Sequence, residues 1–236
     1  MSVLTFDQDA HVYTLDGARV PSVTAILRAA GLFDFSNIPP SILEAARRRG
    51  TACHAAIHYY NENDLAADDF AKDFPAYWPY LESWDRLMAS GRLEPVLCEH
   101  RVASRARGYA GTFDWLGLFD GHAALMDYAT GDSEDVAKDL QTAGYLLAAY
   151  DWVKEDAASF DSEMERTRHD LLRTFLRAHP FITRYSVRLK KSGACAVPIA
   201  HKDPRDFADF TRLLEAQQIV HARRPKAACW TEWEES

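Results

Sequence analysis

Asp114 and Asp127 stand thirteen positions apart, with Asp120-Gly121 at the midpoint. Asp-Gly between two apolar runs favours a two-residue hairpin, because both central residues of such a turn need positive φ. In that hairpin Phe119 faces His122, and counting back along both strands sets Asp114 opposite Asp127. Cross-strand neighbours have Cβ atoms about 5 Å apart, where two like charges repel. A divalent cation between them removes the repulsion, so the pair predicts a carboxylate site for a divalent metal ion. Side chains alternate along a strand, so residue 129 shares the face of Asp127 and Tyr128 takes the other. A metal-dependent phosphodiesterase also needs a cation to orient the attacking water and steady the phosphate charge. A lysine two residues after the second acid would meet that need, and the position holds Ala129.

The elements that must position these residues are legible from pattern. His11 to Leu15 and Ala18 to Val20 read as strands around an Asp16-Gly17 turn. Pro21-Ser22 opens a helix that ends near Gly31. Ser41-Ile42-Leu43-Glu44 matches a capping box and predicts a helix from Ile42 to about Asn61, interrupted by Gly50. Residues 76–89 carry Tyr77, Tyr80, Leu81, Trp84 and Leu87 at helical spacing, a core stripe. Strands follow over Val96 to Ala103, Tyr109 to Phe119 and Ala123 to Ala129, then helices from about Glu134 to Val153 and Glu163 to Ala178. Ile182 to Leu189 alternates, Ser192-Gly193 turns the chain back into Ala194 to Ile199, and Asp203-Pro204 starts a last helix to about Arg223. This order predicts one α/β domain with a mixed sheet over residues 1–236, its motif core at about 41–150.

A composition of 47 % hydrophobic and 26 % charged residues is that of a soluble globular chain, and no apolar run approaches a membrane span, so a cytoplasmic protein without a membrane partner is expected. Cys53, Cys98, Cys195 and Cys229 are scattered without a CxxC pair, which argues against disulfides and zinc. The net charge of −8 argues against a general polyanion surface, although basic residues cluster at Arg47-Arg48-Arg49, Arg105 and Arg107, Lys190-Lys191, and Arg223-Arg224 with Lys226.

Four segments in order carry a resemblance: Arg49-Gly50-Thr51-Ala52-Cys53-His54, Gly111-Thr112-Phe113-Asp114, Met126-Asp127-Tyr128-Ala129-Thr130-Gly131, and Gln141-Thr142-Ala143-Gly144-Tyr145. Together they resemble the PD-(D/E)XK nuclease superfamily, in its RecB-like branch. Val20-Pro21-Ser22-Val23-Thr24 is similar to phage recombination exonucleases in particular. The resemblance spans roughly residues 20 to 150. It implies a restriction-endonuclease-like fold and a Mg²⁺- or Mn²⁺-dependent DNA exonuclease of recombination or end processing. The implied partners are DNA, a single-strand annealing protein and further copies of the chain. His54, Asp114 and Asp127 would be metal ligands with the Tyr128 carbonyl, and Glu99 would act through metal-bound water. Thr130, Gln141 and Tyr145 would support the site and contact the DNA, with Arg47, Arg48 and Arg49 on its phosphates.

The sequence departs from the family at Ala129, where the catalytic lysine is expected. Three readings stay open: a substituted lysine, a lysine relocated to Lys138 one turn before Gln141, or a DNA-binding module that does not cut. A CRISPR adaptation nuclease fits poorly, since only Cys195 and Cys229 fall in the last third. Taken singly, each residue also has a structural reading. His54 could be a core histidine and His58 a structural neighbour. Glu99 could pair with Arg101 or Arg107, and Gln141 and Tyr145 could simply pack. Arg47 to Arg49 could be a solvated face, and Trp230 and Trp233 could dock the chain end or stack on bases.

Overall fold

The Asp-Gly turn forms as its residue types require, with Asp120 at φ 52° and Gly121 at φ 75°. The computed structural model describes residues 4–8, 10–33, 38–131, 137–156, 160 and 162–223. The chain order is β1 (Leu4–Asp7), β2 (Val12–Leu15), β3 (Ala18–Val20), α1 (Val23–Ala29), α2 (Pro40–Asn61), α3 (Ala67–Asp73), α4 (Trp78–Met88), β4 (Leu93–Ser104), β5 (Tyr109–Phe119), β6 (His122–Ala129), α5 (Lys138–Trp152), α6 (Glu163–Ala178), β7 (Thr183–Arg188), β8 (Val197–His201) and α7 (Arg205–Arg223). β1, β2 and β3 form a small antiparallel sheet.

The main sheet has the order β4-β5-β6-β7-β8. Only β6 and β7 pair in parallel among these strands, so the sheet is mixed, as expected. Parallel neighbours need a crossover, which α5 and α6 provide. Each sheet face buries its own core. On one side Val23, Ile26 and Leu27 of α1, Tyr145 and Leu146 of α5, Leu172 of α6 and Phe210 of α7 pack together. On the other, Cys53 and Ile57 of α2 and Leu81 and Trp84 of α4 pack on Trp115, Met126 and Tyr128. The α4 stripe is core, as its spacing predicts. Among the described residues no helix is long and apolar enough to cross a membrane.

Several boundaries differ from expectation. The capping box does not form: α2 begins at Pro40, the Ile42 and Leu43 N–H groups donate to the Pro39 carbonyl, and no side chain caps the helix. Proline at the first turn has its φ preset and no N–H to satisfy there, which moves the start two residues forward. Glu44, released from capping, pairs with Arg48 at 2.9 Å. β8 starts at Val197 rather than Ala194, because the Ala196 N–H is held by the Ser83 carbonyl of α4. α5 is described from Lys138; Glu134, Arg224, Lys226, Cys229, Trp230 and Trp233 lie outside the described residues. Strand β1 and the short helix α3 were not expected. Cys53 and Cys98 are buried free thiols and Cys195 an exposed one.

Candidate metal centre

Strand pairing sets three acids side by side. Glu99 of β4 and Asp114 of β5 sit opposite each other at the step between the Cys98–Trp115 and His100–Phe113 pairs. On the other flank of β5, Asp127 of β6 lies one step beyond the Trp115–Met126 pair, opposite Asp114 as the hairpin predicts. Adjacent positions across a sheet are about 5 Å apart, so the row concentrates three negative charges that need compensation. Glu99 has φ 45°, the left-handed region, which costs a non-glycine residue of order 1 kcal/mol and is typical of functional positions.

The compensating groups come from the helix layers on opposite faces. From α2, His54 Nδ1 lies 3.3 Å from Asp114 Oδ1 and 3.6 Å from Glu99 Oε1. Burial alone would lower the His54 pKa, but the Asp114 and Glu99 carboxylates outweigh it and hold the imidazole well above its ordinary value. From α5, Lys138 Nζ donates to Asp127 Oδ2. Burial pushes the Asp127 carboxyl above its usual range and the Asp114 charge adds to that, while the Lys138 ammonium opposes both.

Neutral donors finish the network. The Tyr128 N–H donates to Asp114 Oδ2. Gln141 Nε2 donates to Asp127 Oδ1 at 3.2 Å and to the Tyr145 hydroxyl at 2.9 Å. Gly111 explains itself here: a Cβ at that position would lie 2.8 Å from the Tyr145 ring, so only glycine lets the ring lie against β5.

His54, Glu99 and Asp114 have ligand-capable atoms within 4.8 Å of one another, a set that could hold a metal ion. Glu99 Oε1 is buried and faces the His54 ring at 3.6 Å. Asp127, expected as a direct ligand, stands beside this set and is engaged by Lys138 instead. Glu99, expected one water away, is within the set. Tyr128 faces Asp114 with its N–H, and its ring packs 4.8 Å from Trp84 and 5.5 Å from His54.

The remaining expected residues are also placed. Ala129 is half-buried, pairs with Arg188 of β7, and its carbonyl accepts from the Leu189 N–H. Thr130 follows it, half-buried. His58 lies 3.7 Å from Glu62, outside the metal-capable set. Arg101 and Arg107 do not take Glu99: Arg101 covers the Phe6 ring and Arg107 pairs with Asp151. Arg47 and Arg48 are exposed, and the Arg49 guanidinium lies 5.6 Å over the Tyr80 ring. No family model matches the chain, and no curated protein matches it.

Proposed function

We propose that this chain is a divalent-metal-dependent DNA nuclease of the PD-(D/E)XK type, built on a restriction-endonuclease-like sheet and closest in character to the phage exonucleases of recombination or end processing. The observation that carries the reading is the row Glu99, Asp114, Asp127 across three adjacent strands, with His54 closing one end. Lys138 and His54 offset part of the row's self-repulsion, and a bound cation would offset the rest.

In this reading His54, Glu99 and Asp114 hold Mg²⁺ or Mn²⁺, which when bound acts as a Lewis acid on the phosphate and lowers the pKa of a water nucleophile. His54 must first lose its proton, since only a neutral ring nitrogen coordinates. Gln141 and Tyr145 fix the Asp127 carboxylate, and the Lys138 ammonium supplies positive charge beside the row, the task the family gives to the residue at 129. Thr130 and the exposed Arg47 and Arg48 are the groups that would contact the DNA.

The test is hydrolysis of linear duplex DNA with Mn²⁺ by the chain as it stands and by Ala129→Lys. Cutting that the substitution raises on the order of 10²-fold supports the reading with position 129 as the missing cation, and cutting by the unaltered chain that the substitution leaves unchanged supports it with Lys138 in that role. DNA binding with no hydrolysis by either protein would favour the second reading, a non-catalytic DNA-binding module of a recombination or defence complex.

A further inference from the structure

Helix α6 carries a surface that the metal centre does not use. Its inner face buries His169, Leu172, Phe175 and Leu176. A helix on the surface of a globular domain is normally polar elsewhere. On one shoulder of α6, however, Met164 is 71 % exposed and Leu171 42 %, and Phe181, just past the helix end, is 90 % exposed. Thr167, Thr174 and Ala178, also exposed, fill the positions between them. The steps from 164 to 167, 171, 174 and 178 alternate between three and four, which is the a and d spacing of a heptad seam. Uncharged side chains aligned along one seam mark a contact surface, whereas scattered exposed apolar residues do not.

The charges beside the seam are segregated along the helix. Its first turn holds Glu163 and Glu165, and its last turn holds Arg177. Arg166 and Arg168, near the acidic end, are turned back to donate to the carbonyls of Phe160 and Cys98. Glu163, Asp170 and Arg177 recur every seven residues along one flank of the seam. Asp170 is taken by Arg173 at 2.5 Å. Among the described residues neither Glu163 nor Arg177 has an ion-pair partner, and both are exposed.

This pattern is complementary to itself when reversed. With two copies of α6 antiparallel about an axis at Leu171, that residue meets its own copy, Met164 meets the small Ala178, and Thr167 meets Thr174. Antiparallel helices bring each flank beside the same flank of the other copy, so Glu163 of one meets Arg177 of the other, twice over. The opposed helix dipoles favour the same orientation. Phe181 then lies beyond the acidic end of the second helix and extends the row.

We infer that α6 is a self-association surface through which two copies of this chain pair antiparallel about Leu171. The contact is the same patch on both copies, so it closes at two and does not propagate into a ring. It stands independently of the nuclease reading. Six seam side chains per copy are far fewer than the roughly 20–30 residues a side of a standard interface, so a reversible dimer with a dissociation constant on the order of 10 μM is expected.

The test is sedimentation velocity of the chain, without metal or DNA, from about 1 to about 200 μM, which brackets that constant. The unaltered chain should show a monomer–dimer equilibrium. Leu171→Glu sets two like charges together on the axis and should raise the dissociation constant at least about tenfold. Ile42→Glu, at an exposed apolar position on α2, should leave it unchanged. Glu163→Arg places like charges opposite Arg177 and should raise it about threefold or more, and Glu163→Arg/Arg177→Glu should bring it back. Parallel pairing would set Glu163 beside its own copy, and the single change would then have no such effect. Both charged positions are exposed, so this exchange decides the matter even where Leu171→Glu disturbs folding, which circular dichroism would reveal. A chain that stays monomeric, an assembly that Leu171→Glu leaves intact while folded, or Glu163→Arg without effect overturns the inference.

Discussion

Lys138 of α5 donates to the carboxylate of Asp127 on β6, and the two side chains are only 13 % and 3 % exposed. Removing one member of a buried ion pair strands the other charge, which costs far more than the pair contributes. Lys138→Met is therefore expected to destabilise the metal-free protein by about 3 kcal/mol. Asp127→Asn in the same chain should recover most of that loss. Urea unfolding of the two single variants and the double variant measures the coupling; simple additivity would mean that the two groups do not interact.

The metal-capable set gives a second prediction. Mn²⁺ at about 100 times its dissociation constant should stabilise the protein by about 2.7 kcal/mol, seen as a rise in melting temperature that EDTA reverses. Glu99→Gln and Asp114→Asn should each abolish the rise while the metal-free protein stays folded. A rise retained by both variants would place the ion elsewhere.

Two glycines of the resembling motifs should respond in opposite directions. Gly111→Ala drives a methyl into the Tyr145 ring and against Val23, and is expected to cost about 1–3 kcal/mol. Gly50 lies within α2 with nothing within 4 Å of a built Cβ, so Gly50→Ala should stabilise by about 0.5–1 kcal/mol. Chemical denaturation of both variants reads the contrast; a loss at both positions would contradict the open surroundings of Gly50.

His100 sets a pH dependence. Burial, with the positive charges of Arg168, His169 and Arg101, lowers its pKa to about 3, and its Nδ1 accepts from Arg168 at 3.3 Å. The unfolded chain protonates this residue near pH 6.5 and the folded chain does not, so the unfolded state binds more protons between those limits. Its contribution to stability is complete above about pH 6.5 and falls by up to about 1.4 kcal/mol per unit as pH drops toward 3. His100→Gln should make the stability profile between about pH 7 and pH 5 shallower. An unchanged slope would mean that His100 keeps an ordinary pKa in the fold.

The parts of this centre differ in how far the sequence disclosed them, for physical reasons. The Asp114–Asp127 juxtaposition was legible because a two-residue turn fixes register without outside information. Glu99 opposite Asp114 was not, because the β4–β5 register shifts between Pro95 and Leu97 and nothing local announces the irregularity. His54 entered through the resemblance alone; tertiary packing of α2 on the sheet, rather than any local pattern, brings it to the acids. Lys138 was placed on the face of Gln141 by helical spacing, but its partner depends on where α5 docks. The mixed sheet was visible in the element order, whereas α3 buries none of its residues and so leaves no periodic signal.

The parallel junction of β6 with β7 has a kinetic corollary. β6 can zip onto β5 at once through a tight turn, but its other neighbour arrives more than fifty residues later, after α5 and α6. Closing so long a loop loses chain entropy before any contact compensates, which makes it a natural slow phase of folding. Until then the strand bearing Asp127 is an open edge in water, where a lone carboxylate is tolerated. Lys138 rides on that same crossover, so the docking of α5 that covers Asp127 also brings the ammonium to it.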